Sequence, residues 1–176
     1  MQLHGLNQSE LEGLGERLGT LVTPGVVLLL EGPMGAGKTT FTRALGRGMK
    51  LDRPDRVCSP TFNICLTHAG PVPLLHMDLF RLAPDDGDGP APASFEALGL
   101  EALLDRLADE DPDAEADDGV LAIEWSNLWR QSDLDALTLR LSRPNPESRD
   151  LEAVAGGPRH AALLSRWAAA GPLQGG

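Results

Sequence analysis

Val26-Val-Leu-Leu-Leu-Glu31, running straight into Gly32-Pro-Met-Gly-Ala-Gly-Lys38-Thr39, decides how this 176-residue chain is read. The first part is an apolar run of strand length. The second fits G-x-x-x-x-G-K-[ST] at every fixed position, and Thr39 to Met49 has the pattern of a helix. Strand, glycine-rich turn and helix in that order form the setting this motif requires. Gly32, Gly35, Ala36 and Gly37 let backbone N–H groups turn inward around phosphate oxygens, and the helix N-terminus adds its partial positive charge. Lys38 then reaches the β- and γ-phosphates, and the Thr39 hydroxyl becomes a ligand for Mg²⁺. The stretch predicts a nucleoside triphosphate site.

On either side of this unit, strand-length and helix-length segments alternate. Ser9 to Leu21 predicts a helix, with Ser9 as its cap and Glu12 completing a capping box. Val72 to Asp78 and Val120 to Glu124 are apolar runs of strand length. Leu137 to Ser142 alternates and then breaks at Pro144-Asn-Pro146. A last strand around Asp150 to Val154 and a helix from His160 to Ala170 follow. This spacing predicts an α/β layered fold in one domain, with a largely parallel sheet and an antiparallel C-terminal hairpin at one edge.

Charge is spread unevenly. The chain carries −11, yet Asp85 to Asp118 alone holds 13 acids against the single base Arg106, so the remainder is close to neutral. Within it, residues 84–92 and 109–119 are rich in Pro, Gly and Asp and predict flexible, solvated loops. Between them Ser94 to Leu107 reads as a short amphipathic helix. So acidic a chain offers little grip for a polyanion, and tight direct binding of nucleic acid is not expected. Arg43, Arg47, Lys50, Arg53 and Arg56, on or just after the Thr39 to Met49 helix, form the one basic cluster and read as a surface that meets a protein partner or the C-terminal end of that helix. Two cysteines cannot build a disulfide framework. No apolar run is long enough to cross a bilayer, and the first residues lack a leader pattern, so a soluble cytoplasmic protein is expected.

A phosphate loop needs a carboxylate near its metal. Leu74-Leu-His-Met-Asp78 and Val120-Leu-Ala-Ile-Glu124 each end an apolar strand in an acid, where open α/β sheets place their ligands. One of the two can hold Mg²⁺ while the other positions the attacking water. Ser59-Pro60-Thr61 precedes a strand and could set the Thr61 hydroxyl over the γ-phosphate, as a switch loop does. His76 faces the same side as Asp78 and reads as a hydrogen-bonded core residue. Trp125 reads as packing at the sheet edge, with a role in sensing the nucleotide as the alternative. Cys58 reads as a small buried residue.

Taken in order, Gly-Pro-Met-Gly-Ala-Gly-Lys-Thr-Thr40, Ser-Pro-Thr-Phe62, His76-Met-Asp-Leu-Phe-Arg-Leu82, Phe95-Glu-Ala-Leu-Gly-Leu-Glu-Ala-Leu-Leu104 and Ile123-Glu-Trp125 resemble the bacterial TsaE family. The resemblance runs from about Leu6 to Val154. It implies a P-loop ATPase that uses ATP and Mg²⁺. It also implies work with two partner proteins, of TsaB and TsaD type, which install threonylcarbamoyl on a tRNA adenosine. By position it assigns Gly35, Gly37, Lys38, Thr39, Thr40 and Arg149 to the nucleotide, and Thr39 and Glu124 to Mg²⁺. Thr61 falls in the switch-like loop, and Asp78 is the hydrolytic carboxylate. This chain differs from the family in having Phe80 for a tyrosine, Ser126-Asn127 for Pro-Glu, Ser148 for a glycine and Leu11 near the place of a threonine. Pro84 to Pro92 resembles an insertion.

Two other classes use the same loop. A small-molecule kinase needs a lid rich in arginine, and the Asp85–Asp118 segment has only Arg106. A nucleotide-gated binding module differs from an ATPase only in turnover.

Overall fold

The computed structural model describes residues 1–60, 65–82, 119–128 and 134–170. In chain order these give β1 (Gln2–Leu6), α1 (Gln8–Gly19), β2 (Val27–Glu31), α2 (Lys38–Gly48), β3 (Cys65–His68) and β4 (Leu74–Asp78). Then follow β5 (Val120–Glu124), β6 (Leu137–Ser142), β7 (Arg149–Ala155) and α3 (Pro158–Ala169). The loop expected at 84–92, the helix expected at 94–107 and all but Gly119 of the loop expected at 109–119 lie outside the described residues.

The strands form one sheet in the order β1-β7-β6-β2-β5-β4-β3. Its centre, β6-β2-β5-β4, is parallel, as the strand–helix alternation predicts, and both margins are antiparallel. The C-terminal hairpin β6–β7 is antiparallel, with β1 added outside it through Leu3↔Leu151 pairing. Because β2 stands mid-sheet beside β5, the loop at its C-terminal end opens next to the ends of β5 and β4. Asp78 and Glu124 are register partners there.

Alternation along the strands divides the core. Leu28 and Leu30 of β2 join Leu11, Phe41 and Trp167 from the three described α-helices in one cluster. Val27 joins Met77, Leu121 and Ile123 in a second. Phe41 and Trp167 meet edge to face, with centroids 6.1 Å apart, which couples α2 to α3.

Helix α1 is capped by Asn7 rather than Ser9. Asn7 Oδ1 accepts from the Glu10 N–H at 2.9 Å, and Glu10 Oε2 accepts from the Asn7 N–H at 2.8 Å. The capping box is therefore Asn7/Glu10 instead of Ser9/Glu12, two residues earlier than the sequence spacing indicates. Glu12 reaches across to Arg47 on α2 at 2.8 Å instead.

Glycines allow α1 to lie directly on α2. A Cβ on Gly15 would stand 2.8 Å from the Phe41 carbonyl oxygen, and one on Gly48 would overlap the Glu16 carbonyl. Gly48→Ala is expected to lower stability by about 3 kcal/mol, because backbone must move to admit the methyl group. That exceeds the roughly 1 kcal/mol that alanine's helix propensity returns. Urea unfolding of the full chain measures the difference.

Helix α3 is tied to β2 by His160, which is 1% exposed. Its Nε2 accepts from the Val27 N–H at 3.0 Å, so the ring is neutral and Nδ1–H donates to Asp135 Oδ1 at 2.7 Å. Burial holds the His160 pKa below the usual imidazole value, against the opposing pull of Asp135. His68 is lowered too, first by burial and then by His76. The unfolded chain therefore binds protons that the folded chain refuses. Stability is full above the ordinary histidine pKa of about 6.5 and declines as pH falls below it. Melting temperatures measured between pH 7.5 and 5 should fall toward acid, and His160→Gln should flatten the slope.

Candidate functional site

The turn after β2 is built on backbone that side chains resist. Gly35 and Gly37 have φ of 77° and 108°, in the left-handed region that glycine enters without cost. A Cβ on Gly37 would also press to 2.7 Å from Leu11 Cδ2. Ala36 is fully buried between them and donates its N–H to the Pro33 carbonyl at 3.2 Å. Chain geometry here is fixed on all sides.

Lys38, 5% exposed, curls back over the turn. Its Nζ donates to the Gly32 and Pro33 carbonyls at 2.7 and 3.0 Å and lies 3.8 Å from the centre of the Trp125 ring. Burial lowers the Lys38 pKa, while Glu124 and Asp78 push it back up. The ammonium is a desolvated charge facing two carboxylates.

Those carboxylates are themselves buried, each 2% exposed. Glu124 Oε2 accepts from the Thr39 hydroxyl at 2.9 Å, which joins the tip of β5 to the first turn of α2. Glu124 Oε1 lies 2.9 Å from His76 Nε2 on β4. Asp78 accepts from the Phe80 N–H at 2.9 Å through Oδ1 and from the Ser59 hydroxyl through Oδ2. Two acids opposite each other would repel, so each needs its own donors. A hydroxyl and a carboxylate make a hard oxygen pair suited to Mg²⁺, which keeps water or phosphate in its remaining positions. Among the described residues no group of three or more His, Cys, Asp or Glu is arranged to hold a metal by itself.

These groups border a cleft of about 350 Å³. Gly35, Gly37, Lys38, Thr39 and Thr40 line it, and Asp78, Glu124 and Arg149 face it from the sheet. Arg149, at the start of β7, donates to the Pro146 and Ser148 carbonyls at 3.3 Å. Most residues singled out by the sequence thus converge; Gly32 and the buried Ala36 belong to the turn without lining the cleft, and Thr61 lies outside the described residues.

Some of the cleft was not legible in the sequence. Gln8 and Leu11 of α1 close one side, a placement set by the glycine contact between α1 and α2. Ser59 is drawn in by Asp78, and Phe80 packs against Trp125 at a 44° tilt with ring centres 4.9 Å apart. Trp125 holds a φ of 59°, unusual for a side chain of its size, and is set between Phe80 and the Lys38 ammonium. Trp125 packs at the end of a central strand rather than at a lateral edge of the sheet, and it lines the cleft. Cys58 is exposed, not buried as expected: the chain there leaves the core after Val57. Of the basic cluster, Arg43 donates to the Val57 carbonyl and Arg47 pairs with Glu12 and Glu16, so these two serve packing around α2.

A parallel-centred sheet, a glycine-built turn after its middle strand, and a lysine and threonine opening the next helix define a P-loop fold. Fold comparison agrees: the crystal structure of Bacillus subtilis YdiB superposes with a TM-score of 0.69 at 24% identity, covering 97% of this chain and 95% of that one. Residues 6–151 match the family described as threonylcarbamoyl adenosine biosynthesis protein TsaE, and the chain belongs to that family. Curated relatives named tRNA threonylcarbamoyladenosine biosynthesis protein TsaE are similar over most of its length. The one from Nostoc sp. PCC 7120 is 34% identical over 79% of this chain and 76% of its own. The Streptomyces coelicolor protein is 35% identical over 78% and 82%. The Bacillus subtilis protein is 31% identical over 90% and 87%. No helix among the described residues is long and apolar enough to cross a membrane.

Proposed function

We propose that this chain is a Mg²⁺-dependent ATPase whose nucleotide cycle supports repeated turnover of a two-protein threonylcarbamoyl transferase of TsaB and TsaD type in the cytoplasm. The observation that carries the reading is the hydrogen bond from Thr39 Oγ1 to Glu124 Oε2, which pairs a P-loop hydroxyl with a carboxylate from the neighbouring strand.

Gly35, Gly37 and Thr40 form the phosphate cradle with the first turn of α2. Lys38 exchanges its bonds to the Gly32 and Pro33 carbonyls for phosphate oxygens, a change favoured by the higher charge of the new partner. Thr39 and Glu124 hold Mg²⁺, which when bound neutralises charge on the β- and γ-phosphate oxygens. Asp78 orients the attacking water and takes its proton, held in place for that by Ser59 and the Phe80 N–H. Arg149, whose Nε stands close to Gly37, adds positive charge beside the phosphate turn, and Thr61 belongs to the loop that follows Ser59.

The purified chain combined with the transferase pair and tRNA tests this. Modified tRNA formed per transferase complex is expected to rise several-fold when the chain and ATP are both present. An unchanged yield would overturn the role in turnover. Sub-micromolar binding of tRNA to the chain alone would reassign the basic cluster to RNA.

A further inference from the structure

Two buried histidines in this protein are used differently. His160 engages both ring nitrogens, one with Val27 and one with Asp135. His76, with no exposed surface, engages one: Nε2 meets Glu124 Oε1 at 2.9 Å, and Nδ1 is buried with no partner among the described residues. A residue kept only to fill the core would be cheaper as an apolar side chain, since an unmet buried nitrogen costs stability. The bond it does make therefore needs an explanation.

Register supplies one. His76 pairs with Ala122, so Glu124 is its diagonal neighbour on the same sheet face. A carboxylate accepts, so Nε2 carries the proton and donates. With Oε1 held from β4, Glu124 Oε2 is left toward the Thr39 hydroxyl and the cleft. Without that bond the side chain could rotate and present either oxygen or neither.

We propose that His76 is a positioning residue for the metal site: its Nε2–H fixes Glu124 so that Oε2 and Thr39 Oγ1 form a ready-made pair of oxygens for Mg²⁺. This rests on the ATPase reading above and adds the side chain that sets its metal ligand. Donors placed behind metal-binding groups in this way are typically worth about 10–100-fold in metal affinity.

The test uses two polar variants that differ in where they place an amide. Gln at 76 can set an N–H near the Nε2 position, and Asn places it near Nδ1, away from Glu124. A fluorescent ATP analogue is titrated onto the full chain in EDTA and again across a Mg²⁺ series, with melting curves to verify folding. His76→Asn should bind the analogue in EDTA within about 2-fold of the parent yet need about 10-fold more Mg²⁺ to reach its tighter affinity. His76→Gln should restore the midpoint to within about 3-fold. A folded His76→Asn with the parent's Mg²⁺ midpoint would overturn the proposal, as would His76→Gln failing as badly as Asn. A parent chain that binds no nucleotide would remove the ATPase reading first, and a parent indifferent to Mg²⁺ the metal assignment, so those failures remain distinct from that of His76.

Discussion

Lys38→Ala should weaken binding of an ATP analogue by about 100-fold, both with and without Mg²⁺, while the melting curve stays near the parent's. A buried ammonium on a phosphate is a charge-assisted bond of the stronger kind, worth up to about 3 kcal/mol. The fold should survive because, among the described residues, the Lys38 ammonium bonds to the Gly32 and Pro33 carbonyls of its own turn and to the Trp125 face. Thr39→Ala should separate from it. Its hydroxyl donates to Glu124 and with it forms the proposed metal pair, so its loss should appear with Mg²⁺ present and nearly vanish in EDTA. Unchanged affinity in both variants would remove the nucleotide from this cleft.

Asp78→Asn should leave analogue affinity within about 3-fold and lower hydrolysis by about 100-fold or more, the usual scale for removing a general base. The amide keeps the shape that Ser59 and the Phe80 N–H hold, and it takes away the charge that accepts a proton. Glu124→Gln should act differently, raising the Mg²⁺ requirement as well. Hydrolysis by Asp78→Asn at the parent rate, with the transferase pair present, would exchange or dissolve these two roles.

What the sequence made legible is the part governed by local chemistry. A glycine turn between an apolar strand and a helix has one common use, and acids ending apolar strands fall where ligands gather, so Lys38, Thr39, Asp78 and Glu124 could be found one after another. The parallel centre of the sheet follows from the spacing of those strands. Strand β1 was not foreseen, and β3 was expected only as an unbounded strand after Ser59-Pro60-Thr61. Neither Gln2–Leu6 nor Cys65–His68 has a clear apolar alternation, and each is a strand because β7 or β4 offers it a backbone edge. The start of α1 was misplaced because Ser9 and Glu12 have the same spacing as Asn7 and Glu10; choosing between them depends on where β1 hands over the chain. His76 could be seen to share a face with Asp78, but its partner Glu124 lies 48 residues away and appears only once β4 and β5 are in register. Cys58 was read from its type alone, and exposure depends on the path of the chain after Val57.

The central claim is that this cleft hydrolyses ATP through a Mg²⁺ site held by Thr39 and Glu124 and a water oriented by Asp78. A single-turnover experiment tests it most directly. The purified chain is held in excess over ATP labelled in its γ-phosphate, with and without Mg²⁺ and with and without the transferase pair. The account predicts release of inorganic phosphate that requires Mg²⁺, speeds up with the pair and disappears in Asp78→Asn. ATP remaining intact under every condition, or label passing to an acceptor instead of to water, would contradict it.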